Sequence, residues 1–184
     1  MKNTFRLSLI AIILTGFYAC SGPGKNNSAD STALNNSTKQ PIDTADTRLA
    51  NDLSIFCTSQ INAAQLAETK ATTAKVKAFA KQTVYLYTRL NIKLNLISEN
   101  YDIKLPAELN HAAKENYQHL KDIKGASFDH EYLLQMLKQH NAMIREYNAA
   151  KNIQCVPLKM FVASNQGDII KNAYALSDLK DQTP

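Results

Sequence analysis

GASFDHEYLLQMLKQHNAMIREY, residues 125–147, decides the fold. Its apolar positions are Phe128, Tyr132, Leu133, Met136, Leu137, Met143, Ile144 and Tyr147, with His140 on the same side. Steps of three and four residues place them on one face of a helix with 3.6 residues per turn. A helix with one such stripe is not stable alone in water and needs other helices to cover it.

The rest of the chain supplies those helices. Leu49, Leu53, Phe56, Ala63, Ala64 and Ala67 mark a stripe over residues 47–70, with Gln60 on it and Cys57 at its edge. Thr72 and Thr73 then break and re-cap the chain. Val76, Phe79, Ala80, Thr83, Tyr87, Leu90, Leu94, Ile97 and Tyr101 mark a second helix from Ala74 to about Asn100. Leu105-Pro106 opens a shorter one to about Lys121, because proline suits a first helical turn. The quoted stretch continues to about Ala150, and Pro157 opens a last helix to about Leu179, striped by Leu158, Phe161, Val162, Asn165, Ile169, Ala173 and Leu176. No segment alternates like a strand. The expected class is all-α: a ferritin-like four-helix bundle over residues 47–181, with the short helix as its crossover.

The N-terminus reads as an address. MKNTFRLSLIAIILTGFYAC has a basic start at Lys2 and Arg6, an apolar run from Leu7 to Phe17, and then Ala19-Cys20. The run is too short to span a bilayer, which takes about 20 apolar residues, and has the layout of a secretory signal. The cysteine makes it similar to a bacterial lipoprotein signal, although Phe17 stands where Leu is usual. The expectation is a signal peptide over residues 1–19, lipidation at Cys20, and a polar tether over residues 20–46 that buries too little to order itself. The expected location is the bacterial cell envelope, lipid-anchored on the outer membrane facing the periplasm. A membrane held through the lipid is the expected partner, with an envelope protein or a second copy beside it. The formal charge of +5 falls to +3 once Lys2 and Arg6 are removed. No basic stripe with interleaved aromatics appears, so nucleic acid is not expected.

Three segments carry a family resemblance: KVKAFAKQ (Lys75–Gln82), KLP (Lys104–Pro106) and GASFDHEYLLQMLKQH (Gly125–His140). They resemble the bacterial domain of unknown function (DUF) 4142 family, whose members are secreted or envelope-anchored helical domains described as ferritin-like. The pattern at Gly125, Phe128, Asp129, Tyr132 and His140 is the most specific part. The resemblance implies an acid where Gln60 stands, an Asp-His pair at Leu86-Tyr87, a His at His140 and a further His near Ile169; of that set only His140 is present.

A di-metal centre in such a bundle needs inward Glu and Glu-x-x-His groups, and the four long helices contain no Glu-x-x-His. The inward polar residues are Gln60, Tyr87, His140 and Asn165, expected as a buried cluster that satisfies itself, with neither metal nor cofactor. On that reading His140→Leu leaves stability little changed or raises it. The Glu-x-x-His at Glu108 and His111, with Glu115 and His119, is expected along one solvated side of the short helix, with a surface metal site as the lesser reading. Cys57 and Cys155 remain after Cys20. Outside a reducing cytosol they form either a bridge closing about a hundred residues, worth roughly 4–5 kcal/mol in the entropy model, or two separate thiols. The function expected from all this is a non-enzymatic structural or interaction module. A metal-binding or redox bundle and a small-ligand carrier are the alternatives.

Overall fold

A computed structural model describes residues 42–183, apart from Ala126 and Lys151. The signal, Cys20 and nearly all of the expected tether lie outside the described residues. Five helices follow in order: α1 (Thr44–Lys70), α2 (Ala74–Tyr101), α3 (His111–Asp122), α4 (Ser127–Ala149) and α5 (Val156–Asp181). No strand occurs among the described residues.

Local chemistry sets the ends. Thr73 caps α2, its hydroxyl accepting from the Val76 N–H at 3.3 Å. α2 stops where Asp102 turns left-handed at φ 56°, and the Ile103 N–H donates back to the Ser98 carbonyl at 2.9 Å. Gly125, at φ 67°, makes the turn into α4. Two boundaries differ from expectation. α1 begins at Thr44 rather than Thr47, because the Asp43 side chain accepts from the Ala45 N–H. α3 begins at His111 rather than Pro106, because Asn110 caps it, accepting from the Ala113 N–H at 2.9 Å. Asparagine is a strong cap, and the proline stays outside the helix.

α1 packs on α2 and α4 on α5; α1 also packs on α4, and α2 on α5. The order around the bundle is therefore α1, α2, α5, α4, with α3 laid over α1 and α4. Two buried aspartates fix directions. Asp46, in the first turn of α1, meets the start of α5, and Asp129, in the first turn of α4, meets the start of α2. So α1 and α5 run one way, and α2 and α4 the other. All lateral neighbours are antiparallel, and the diagonal pairs are parallel. We call the end with Asp46 the lower end and the end with Asp129 the upper end.

The apolar core has two parts. The lower part includes Leu53, Leu90, Leu94, Met143, Leu158 and Ile169. The upper part sets the small side chains Ala63, Ala64 and Ala67 of α1 against Phe79, Phe128, Tyr132 and Met136. Small residues on α1 leave room for bulky ones on α2 and α4, which keeps the interior dense. Gln60, Thr83 and His140, all buried, lie in their helices between residues of the two parts.

Candidate functional site

The buried polar centre is built from α1, α2 and α4. The helical stripe brings Phe56, Tyr87 and His140 together edge to face, with ring centroids 5.3–5.6 Å apart. His140 Nδ1 lies 2.8 Å from the Met136 carbonyl. A carbonyl can only accept, so Nδ1 carries the proton and Nε2 is the acceptor. The Tyr87 hydroxyl, 2.6 Å from Nε2, therefore donates to it. Burial holds the imidazole down at about 4, against 6.5 in water, offset in part by the Met136 carbonyl. Burial likewise pushes the Tyr87 phenol well above its usual value, with the Asn172 side chain acting the other way. At neutral pH the centre is uncharged, and both ring nitrogens are engaged.

The other two residues expected in this cluster are buried but face elsewhere. Gln60 donates from Nε2 to Oε1 of Gln139, while its own Oε1 has no partner. Asn165 donates to the Phe161 carbonyl one turn back on its own helix, at 2.6 Å. The four residues are thus three separate arrangements rather than one network. Each amide satisfied its nearest carbonyl or amide in preference to reaching the ring.

Cys57 and Cys155 are both buried free thiols in the lower core, so no bridge joins them here. Burial pushes the Cys57 thiol up to about 12, which keeps it protonated and unreactive.

The acid and histidine set of the crossover does not converge. Glu108 precedes α3 and pairs with Lys114, which holds its carboxyl below the usual range. His111 reaches Glu115 at 3.2 Å, and His119 instead lies 3.9 Å from Glu131 on α4. All these side chains are exposed. Among the described residues no three His, Cys, Asp or Glu side chains come together as a cage would.

The sequence reading missed what the two buried carboxylates do. Asp129 accepts from the N–H groups of Thr72 (2.7 Å) and Thr73 (2.8 Å) and from the Thr72 hydroxyl (3.1 Å). Asp46 accepts from the N–H groups of Gln154 (3.0 Å) and Cys155 (2.6 Å). Both are engaged at the ends, away from His140, so the donors a di-metal centre requires do not fit this interior. An open groove along the outer side of α2, by Glu68 and Tyr85, holds about 630 Å³, and two other clefts are smaller. One by Asp46 and Glu146 holds about 210 Å³, and one under α3 beside Phe56 and Gln139 about 220 Å³. Small-molecule sites usually run to ~300–1,000 Å³.

No curated protein matches the chain in sequence. Among solved structures it is similar to a DUF305 fragment from Deinococcus radiodurans, with a TM-score of 0.61 at 9% identity, covering 75% of this chain and 99% of that one. That likeness bears on the fold alone. The model of DUF4142, a domain of unknown function, matches residues 31–174. The pattern of Gly125, Phe128, Asp129, Tyr132 and His140 thus has a structural account at each position: a left-handed turn, a buried ring, a carboxylate on two amides, a ring stacked on Phe128, and an acceptor for Tyr87. On that match the chain belongs to the DUF4142 family.

Proposed function

We propose that the protein is a lipid-anchored module of the bacterial cell envelope that acts by holding a partner or a surface rather than by catalysis. One observation carries the non-enzymatic half: His140, the inward group best suited to bind a metal or move a proton, has both nitrogens engaged, by Tyr87 and by the Met136 carbonyl. A metal ligand needs a free nitrogen, and a general base needs a substrate within hydrogen-bond reach, whereas His140 and its donor Tyr87 are both fully buried. The anchoring half rests on the sequence at Lys2–Cys20 and on the polar stretch that follows. On this reading Cys20 carries the lipid, and the body faces the periplasm from the outer membrane.

Two measurements test the reading. Intact mass of protein extracted from membranes should show a chain beginning at Cys20 with acyl chains attached; an unmodified Cys20 removes the anchor. Elemental analysis with metal titration should give substoichiometric metal, whereas stoichiometric binding lost in His140→Ala would make the protein a metal-binding bundle.

A further inference from the structure

Among the described residues, the large apolar side chains left exposed lie, apart from Leu134, on two neighbouring helices. Tyr85, Ile92 and Leu96 lie on α2, and Val156, Met160 and Tyr174 on α5. The α2 set recurs at steps of seven and four, a straight outward stripe at helical spacing. Scattered single apolar residues on a surface are ordinary, whereas a gathered set marks a contact. This is the side that α3, packed on α1 and α4, leaves uncovered.

Position and charge say what meets it. α2 descends and α5 rises, so Ile92, Leu96, Val156 and Met160 all fall in the lower half of the bundle. The chain enters α1 at that same end, at Thr44. Between Cys20 and that helix lie 23 residues. α2 is also the basic helix, with Lys75, Lys77, Lys81, Arg89 and Lys93 against Glu99 alone. Arg89 lies over the Tyr85 ring at 5.9 Å and reaches Asp168 of α5 at 3.5 Å, beside an open groove of about 630 Å³. Apolar tips flanked by long basic stems suit an anionic lipid interface, where the stems cover hydrocarbon and the charges meet phosphates. No described helix is long and apolar enough to cross a membrane, so the contact is with the surface.

We propose that the α2–α5 side docks on an anionic bilayer, the one to which the lipid on Cys20 tethers the body. This rests on the anchoring reading for how the surface is brought near, but the docking surface can be tested without it. The experiment uses the processed chain, residues 20–184, with Cys20→Ser to remove the acylation site, in cosedimentation with vesicles. Phosphatidylglycerol vesicles should carry it down, phosphatidylcholine vesicles should not, and added salt should release it. Replacing Ile92 and Met160 together by Glu should weaken partitioning about tenfold or more. Leu134→Glu on α4, also an exposed apolar site, should leave it unchanged. Failure to bind phosphatidylglycerol at low salt, or binding indifferent to the Ile92/Met160 pair, overturns the proposal. So does a dimer in solution that the same pair abolishes in the absence of vesicle binding, which would assign the face to a second copy. Intact mass of the membrane-extracted protein reports on the anchor separately.

Discussion

At the upper end Asp129 sits fully buried between the start of its own helix, α4, and the start of α2; at the lower end Asp46 sits between the starts of α1 and α5. The two ends use the same device. Parallel diagonal helices bring two positive N-termini to one end, and a carboxylate in the first turn of one helix accepts the N–H groups of the residues that lead into the other. The settings differ. Asp129 is followed by Tyr132 stacked on Phe128 at 6.1 Å, and Lys70 reaches over to the carbonyls of Leu120 and Lys121 and over the Phe128 ring. Asp46 sits two residues into the first described helix, beside a cleft shared with Arg48 and Glu146. The contrast predicts that the packing around each carboxylate, not the carboxylate itself, sets how much each end contributes.

The largest expected effect is at the upper end. Asp129→Ala leaves two backbone N–H groups and a hydroxyl without their charged acceptor, and chemical denaturation should show a loss of roughly 3–5 kcal/mol. Next is the middle of the molecule, which can be titrated separately from either end. The folded imidazole of His140 takes a proton only near pH 4, and the unfolded one near 6.5. Between those values the unfolded chain holds more protons, so stability falls as pH falls and levels off below about 4, a total of roughly 3 kcal/mol. Denaturation midpoints across that range should lose this dependence in a Tyr87→Phe, His140→Leu double variant. His140→Leu alone should cost about 1–3 kcal/mol, because it leaves the Tyr87 hydroxyl without its acceptor. Asp46→Ala should cost less than its counterpart, roughly 2–3 kcal/mol, since the first turn of α1 can fray and admit water. If the two alanine variants prove equal, the contrast between the ends fails. The smallest change is Asp102→Gly, which relieves a left-handed residue and removes an acid from the C-terminus of α2; thermal melting should rise by the equivalent of about 0.5 kcal/mol.

Much of this was legible in the sequence, for a specific reason. The stripes of α1, α2, α4 and α5 are periodic, and periodicity is local. Thr73 as a cap and proline in the first turn of α5 are local too. The polar centre was legible only as inward positions: Tyr87 and His140 do meet, but Gln60 turned to Gln139 and Asn165 to its own backbone. Which amide a side chain chooses depends on rotamers that spacing does not specify. The cost now expected for His140→Leu comes instead from the Tyr87 hydroxyl, which donates to that ring. Asp46 read as part of a polar tether because its partners, Gln154 and Cys155, stand more than a hundred residues away. Asp129 read only as one position of the family pattern; its hold on Thr72 and Thr73 is equally non-local.

The cross-ties also govern the order in which the molecule can be finished. Asp46 is among the earliest helical residues to leave the ribosome, and the amides it holds are among the later ones. The amides of Thr72 and Thr73 wait in the same way for Asp129. Neither hairpin contains its own latch, so half a chain has no closed product to settle into. A chain cut after α2 would therefore lack both ties, however well its two helices pack on each other.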